Sequence, residues 1–346
     1  MDLPSFMKDA DDAARLEAVV GRLRELYDEL RGVGPSGVDD ARRRYIAARK
    51  DQTVATVLGN IASYFVRGRD DGYLGGNAKN FSVGSLERAE CEVPFTARFG
   101  LRDVLAAYNA LPGIEAIGTD ELMAMMGDLA GGWPEGMRED LTTRPAGRIA
   151  RLARRRLADG TSTIRLVDYK TGQSMPARQM ANDLQLVCYQ LGLAFPEHGE
   201  RGPAAMDHIT QGSLFFVAAK DSPANSYAPE SAFQPALFEG GALNDTTYIG
   251  RSHYGEATSL LDVPGLPDLP PAGVRGRTWE RFLSLRGTQA VWALTMIARV
   301  FYAAAASRSA RLVAHPTAQH RAHCRMATVC PACSGKIDTV IETRQS

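Results

Sequence analysis

The chain has 346 residues, of which 45% are hydrophobic and 23% charged, with 40 Lys and Arg balancing 40 Asp and Glu. That composition is one of a folded soluble protein, long enough to bury a sizeable core as one large domain or two ordinary ones. A net charge of zero excludes the global positive field that many free-standing DNA binders carry, so any nucleic-acid contact has to come from local patches.

The amino terminus, "MDLPSFMKDADDAARLEAVV", has no basic stretch followed by an apolar one, and no uninterrupted apolar run is long enough to span a bilayer. A cytoplasmic location with no membrane partner is the default expectation. Residues 1–80 are helical in pattern. In "DAARLEAVVGRLRELYDELRG" the positions Leu16, Val19, Val20, Leu23, Leu26, Tyr27 and Leu30 follow one helix face, and Gly32 supplies a stop. The stretch "DDARRRYIAARKDQTVATVLGNIASYFVRGRDD" predicts a second helix before the turn-rich "DGYLGGNAKN".

From about Ser82 the period shortens. "SLERAECEVPF" predicts a strand, "GTDELMAMMGDLAGG" a helical insertion, and "GRIARLARRRLADGTSTIRLVDYKTG" a hairpin turning at Ala158-Asp159-Gly160-Thr161. One helix over "QMANDLQLVCYQLGLAF" and a strand from Gly212 to Ala219 follow. Residues 221–277, rich in Ser, Pro and Gly, predict a loop-dominated connection rather than a domain boundary. "TWERFLSLRGTQAVWALTMIARVFYAAAASRSA" predicts one long helix or two, with Gly287 as the weak point. The order strand, strand, helix, strand points to an α/β or α+β fold with a mixed central sheet. A helical region over 1–80 packs on a core domain over 81–346, which ends in a C-terminal helix and a Cys-rich tail.

On a strand from Ile164 to Tyr169, the two-residue period places Asp168 and Lys170 on one face at its C-terminal end, beside a Thr-Gly turn. Gln185 and Tyr189 stand at i and i+4 on the following helix, able to reach over that strand end. A carboxylate beside an ammonium suits metal-assisted phosphodiester cleavage, the first holding Mg²⁺ or Mn²⁺, the second offsetting charge on the phosphate. An Asp-x-Lys triplet alone is weak, because a surface ion pair at a strand end reads the same. Arg151, Arg154, Arg155 and Arg156 are either phosphate contacts or a solvated strand face. His198, His208, His253 and His315 have no partner in sequence, and no Gly-x4-Gly-Lys-Ser/Thr phosphate loop is present.

Taken together, "GRI", "VDYKTG" and "DLQLVCYQLGL" resemble the PD-(D/E)XK nuclease superfamily, specifically the RecB-type nuclease domain attached to UvrD-like helicases, over roughly residues 82–335. "FQPALF", the Trp279-led helix and "CRMATVCPACSG" are further similar to actinobacterial subunits of the AdnA/AdnB and AddB kind. The resemblance implies a restriction-endonuclease-like core and metal-dependent DNA cleavage, exonucleolytic or endonucleolytic, on single-stranded or duplex ends in double-strand-break repair. A UvrD-like helicase subunit is the implied partner.

Residue by residue, it assigns Asp168 as the second acid, Lys170 as the lysine, Gln185 and Tyr189 as the helix motif, and Glu92 of "CEVPF" as an upstream glutamate. Asp168 and Glu92 become the metal ligands, and Arg148, Arg151 and Arg154 the DNA contacts. The family's Gly-Arg-Ile-Asp reads here Gly147-Arg148-Ile149-Ala150, and no histidine precedes Glu92. Losing one of two carboxylates weakens Mg²⁺ or Mn²⁺ binding, because the ion relies on anionic oxygen to offset its dehydration. The alternative is therefore an inactive DNA-binding or structural module that partners a helicase. The odd count of five cysteines argues against a disulfide framework. Cys324, Cys330 and Cys333 resemble the remnant of an iron-sulfur site, since Arg321 stands where a further cysteine belongs; former ligands are favoured over a cluster or zinc.

Overall fold

The computed structural model describes residues 11–31, 40–67, 84–172, 175–202, 209–219, 233–246, 261–309 and 330. In chain order the elements are helices α1 (Asp12–Arg31) and α2 (Asp40–Arg67), strands β1 (Ser85–Thr96) and β2 (Phe99–Gly100), and helices α3 (Leu101–Asn109) and α4 (Thr119–Ala130). Strands β3 (Thr142–Thr143), β4 (Ala146–Arg156) and β5 (Ser162–Lys170) follow, then helices α5 (Ala177–Ala181) and α6 (Leu184–Ala194). Strands β6 (Ile209–Phe216), β7 (Phe233–Pro235), β8 (Phe238–Glu239) and β9 (Ala242–Leu243) precede the last helices, α7 (Gly276–Leu283) and α8 (Gln289–Ala306).

The central sheet runs β1-β4-β5-β6-β7, antiparallel throughout except for the parallel pair β5–β6. The predicted mixed α/β fold is therefore what forms, a mixed sheet with helices on both faces, consistent with a restriction-endonuclease-like core. On one face α2 packs Tyr64 into a cluster with Val167, Phe215 and Val217. Asn60 Nδ2 donates to the carbonyls of Val217 (2.9 Å) and Ala219 (2.7 Å). α1 in turn closes over α2 through Val19, Ala62 and Val66. On the opposite face α6 and α8 join Leu152, Leu166 and Leu214 in the main core.

The hairpin β4–β5 pairs Leu152 with Leu166 and turns where the sequence indicates. Gly160 takes φ +88° and Thr161 N donates to Asp159 Oδ1 at 2.8 Å. β6 lies earlier than the predicted 212–219. Its ladder with β5 runs from Ile164↔Ile209 to Lys170↔Phe216 and stops where β5 stops, after which the chain's carbonyls turn to Asn60.

The helix expected over 179–195 is two helices. Asp183 interrupts it as an N-cap, its Oδ1 accepting from Gln185 N (2.9 Å) and Leu186 N (3.1 Å). The neighbouring Asn182 Oδ1 accepts from Asp262 N (2.8 Å) and Trp292 Nε1 (2.9 Å). The C-terminal stretch also divides, with Gly287 at φ +84° and the Thr288 hydroxyl accepting from Ala290 N at 3.3 Å. α8 is long and apolar enough to cross a membrane, which reading the sequence for uninterrupted apolar runs overlooks. It is 72% buried, with Trp292, Leu294, Met296 and Phe301 inside, and so is the core helix of this fold. α3 had no counterpart in the sequence expectations. "FQPALF" supplies β7, held by Gln190 of α6, whose Nε2 donates to Gln234 Oε1 (3.0 Å) and the Pro235 carbonyl (3.1 Å).

The first turn of α4 carries a further tie. Glu121 accepts from Arg275 at its Nε (3.0 Å), Nη2 (2.9 Å) and backbone N (3.0 Å). The Arg275 hydrogen bond, foremost, holds the Glu121 carboxyl down at about 2. A carboxyl depressed in the folded state gives stability that is present above its ordinary pKa and lost as pH falls toward that depressed value. Glu121→Gln is expected to flatten the acid limb of the stability profile between about pH 4.5 and 2, read by urea unfolding at stepped pH.

Candidate functional site

The end of β5 and the start of α6 bring Asp168, Lys170, Gln185 and Tyr189 together. The alternation of β5 turns Tyr169 toward α2. Asp168 and Lys170 point the other way, beneath α6. Capping by Asp183 starts α6 at this point, so Gln185 lies in its first turn and Tyr189 one turn later.

The four side chains form a closed ring. Asp168 Oδ2 accepts from Lys170 Nζ at 2.8 Å, and Oδ1 accepts from Tyr189 OH at 2.9 Å and Gln185 Nε2 at 3.2 Å. Gln185 Nε2 also donates to Tyr189 OH at 2.6 Å, and its Oε1 accepts from Lys170 Nζ at 2.6 Å. The Asp168 side chain is 8% exposed and that of Lys170 30%, so the carboxylate is the floor and the ammonium the mouth. Burial, then the bond to Asp168, pushes the Tyr189 phenol up to about 12, which keeps it protonated and donating at neutral pH.

A packing device missed in sequence holds Tyr189 in place. The Phe95 ring meets it edge to face, with centroids 5.7 Å apart and planes at 83°. Phe95 fits only because two glycines leave room. A Cβ at Gly192 would lie 2.5 Å from Phe95 Cδ2, and one at Gly147 would lie 3.1 Å from its Cε1. The available signal was glycine inside a strand and inside a helix, where it weakens the element and marks close approach.

The positions assigned to the first acid and the upstream glutamate are next to each other. Cys91 pairs with Arg151 and Val93 with Ile149, which leaves Glu92 across from Ala150. On the other side, Ala150 and Asp168 are the next residues beyond the pair Arg151↔Val167. The strands are irregular here. Ile149 and Leu152 both enter the main core although three apart, while Arg151 between them turns to α2. Glu92 is the one non-glycine residue with positive φ among those described, at +53°. Its side chain is exposed and its carboxylate has no partner among the described residues, whereas its carbonyl accepts from Arg148 Nη1 at 3.1 Å.

The expected DNA contacts separate by strand face. Arg148 and Arg154 are exposed, the latter 3.8 Å from Glu90. Arg151 is 3% exposed, its guanidinium 5.3 Å from the Tyr64 ring centre and 4.9 Å from that of Phe65, so a phosphate does not reach it in this arrangement. Arg155 is 1% exposed and donates to the Gly84 carbonyl at 2.7 Å. Arg156 pairs with Glu87.

The donor set does not fit the hydrated Mg²⁺ or Mn²⁺ that paired carboxylates would hold. Both oxygens of Asp168 are engaged by protein donors, Ala150 offers none, and no group of three His, Cys, Asp or Glu side chains among the described residues converges on one point. Cys324 and Cys333 lie outside the described residues, and Cys330 is half-buried. Cys91 is exposed on β1, and burial pushes the Cys188 thiol on α6 up to about 11. A cleft of about 580 Å³ lined by Arg98, Arg102, Asp103 and Arg201 opens at the start of α3, but it includes none of the four clustered residues.

Compared with known families, residues 146–331 match a family model described as the PD-(D/E)XK nuclease superfamily. No curated protein and no solved structure matches the chain. The matched residues include β4, β5, α6 and the whole Asp168 cluster.

Gly192→Ala is expected to destabilise by about 1–3 kcal/mol through overpacking against Phe95. Denaturant unfolding should show that cost shrinking in a Phe95→Leu background, since the two residues share one space.

Proposed function

The chain belongs to the PD-(D/E)XK nuclease superfamily, and from that membership we propose that it is a RecB-type domain acting on DNA ends in double-strand-break processing and recombinational repair, with phosphodiester hydrolysis greatly reduced. The reading places it in the cytoplasm beside a UvrD-like helicase subunit. The observation that carries it is the hydrogen-bonded ring of Asp168, Lys170, Gln185 and Tyr189, set where a strand end meets a helix start within the matched segment.

Lys170, at the mouth of the ring, presents a cation to a phosphodiester. Exposed Arg148 and Arg154 on β4 supply sequence-independent contacts to neighbouring phosphates. Asp168 alone remains as the buried acid, and Ala150 removes the second carboxylate on which hydrolysis in this superfamily relies. The engaged oxygens of Asp168 favour a second reading, a module that binds a single strand and delivers it to or from a helicase without cutting it.

Binding to single-stranded DNA should weaken on substitution of Arg148 or Arg154 by Ala, each lowering the slope of log K against log salt by about 0.7. With Mn²⁺ and single-stranded or blunt-ended DNA, cleavage by the wild type should be slower than by Ala150→Asp by at least about 10-fold. Fast cleavage abolished by Asp168→Ala would overturn the reduced-activity reading. Binding without any cleavage, in the wild type and in Ala150→Asp alike, would establish the second one.

A further inference from the structure

We infer that Lys170 is the standing counter-ion of Asp168 in place of a divalent metal, making the Asp168–Lys170–Gln185–Tyr189 ring a metal-independent tie between β5 and α6. The inference rests on reading the ring as a nuclease centre that has lost one acid. Charge counting carries it first. Two carboxylates and one ammonium leave a net charge of −1 to attract a divalent cation; Asp168 and Lys170 alone sum to zero. Electrostatic attraction for the ion is thereby lowered by one full charge at the ring.

Geometry carries it second. Mg²⁺ and Mn²⁺ require close, near-octahedral oxygen ligation. An ion approaching Asp168 meets Oδ1 already accepting from Tyr189 at 2.9 Å and Gln185 at 3.2 Å, and at Oδ2 it meets the Lys170 ammonium at 2.8 Å, a like charge beside the remaining lone pair. Moving Tyr189 or Lys170 aside also costs Gln185 a partner, since it bonds both. Tyr189 is the buried donor, so its hydroxyl without Asp168 would be costly, whereas Gln185 and Lys170 reach solvent; the ring resists opening on the Tyr189 side. Glu92, across from Ala150, is exposed on the left-handed bend of β1 and makes no hydrogen bond to the ring.

Thermal unfolding and Mn²⁺ electron paramagnetic resonance on the full chain test this without reference to cleavage. The wild-type Tm should agree within about 1 °C between EDTA and millimolar Mn²⁺, and free Mn²⁺ signal should not fall on adding protein. Ala150→Asp should bind Mn²⁺ and gain a Tm rise of several degrees with it. Lys170→Met should lower Tm, and adding Asp168→Asn to it should recover part of the loss, because the buried charge is then gone. A Tm rise in wild type with Mn²⁺ that Asp168→Asn abolishes would overturn the inference, as would strictly additive losses in the double variant. Neither result bears on binding to DNA ends, which is scored in EDTA by a separate titration; its failure would sink the proposed function and leave the metal-independent tie standing.

Discussion

A carboxylate buried at the end of β5 is the constraint around which the rest is arranged. Asp168 at 6% exposure is tolerable only with a cation and neutral donors on its oxygens, since an isolated buried charge costs several kcal/mol. Lys170 comes from its own strand at no extra topological cost. Tyr189 and Gln185 must come from elsewhere, so α6 has to begin near the strand end and run over it. Asp183 fixes where it begins, and Asn182 anchors the preceding turn to Trp292 and the backbone of Asp262. Gly147 and Gly192 admit Phe95, which pins Tyr189 from the side. The site and the core are one piece of packing.

Much of this was legible in the sequence, and the reasons differ by element. The β4–β5 hairpin announced itself through Asp159-Gly160, which offer the backbone a turn on their own. That Asp168, Lys170, Gln185 and Tyr189 would cluster was legible because alternation on a strand and i, i+4 spacing on a helix are local rules that survive folding. What failed was set by distant partners. The division between α5 and α6 depends on Asn182 meeting Asp262 and Trp292, some 80 and 110 residues away along the chain. The early ending of β6 follows the end of β5 at Lys170, and the carbonyls beyond it are taken up by Asn60, more than 150 residues upstream. The orientation of Arg151 could not be read from a run of arginines, because it depends on Tyr64 and Phe65 of α2.

The balance of charge also takes on a spatial meaning. A net charge of zero over the chain coexists with arginines facing both ways from β4, some held within the protein at Arg151 and Arg155 and some outside at Arg148 and Arg154. Inside, a guanidinium lies against aromatic faces or a backbone carbonyl, where its planar, weakly hydrated head is better suited than an ammonium. Outside, the remaining cations are sparse and partly paired with Glu87 and Glu90. Such a surface favours brief, salt-sensitive contact with a polyanion rather than a long electrostatic track.

The clamp of Asn60 onto the carbonyls of Val217 and Ala219 bears on how the protein can be divided. Ancestry is recognisable from residue 146 onward, yet a piece beginning there would lose β1 from the side of β4 and α2 from the face of β5 and β6. Val167, Phe215 and Tyr169 would then meet water, and two carbonyls would lose their donor. The segment that records descent is thus shorter than the segment able to stand alone, and a dissection of this protein has to respect the second boundary.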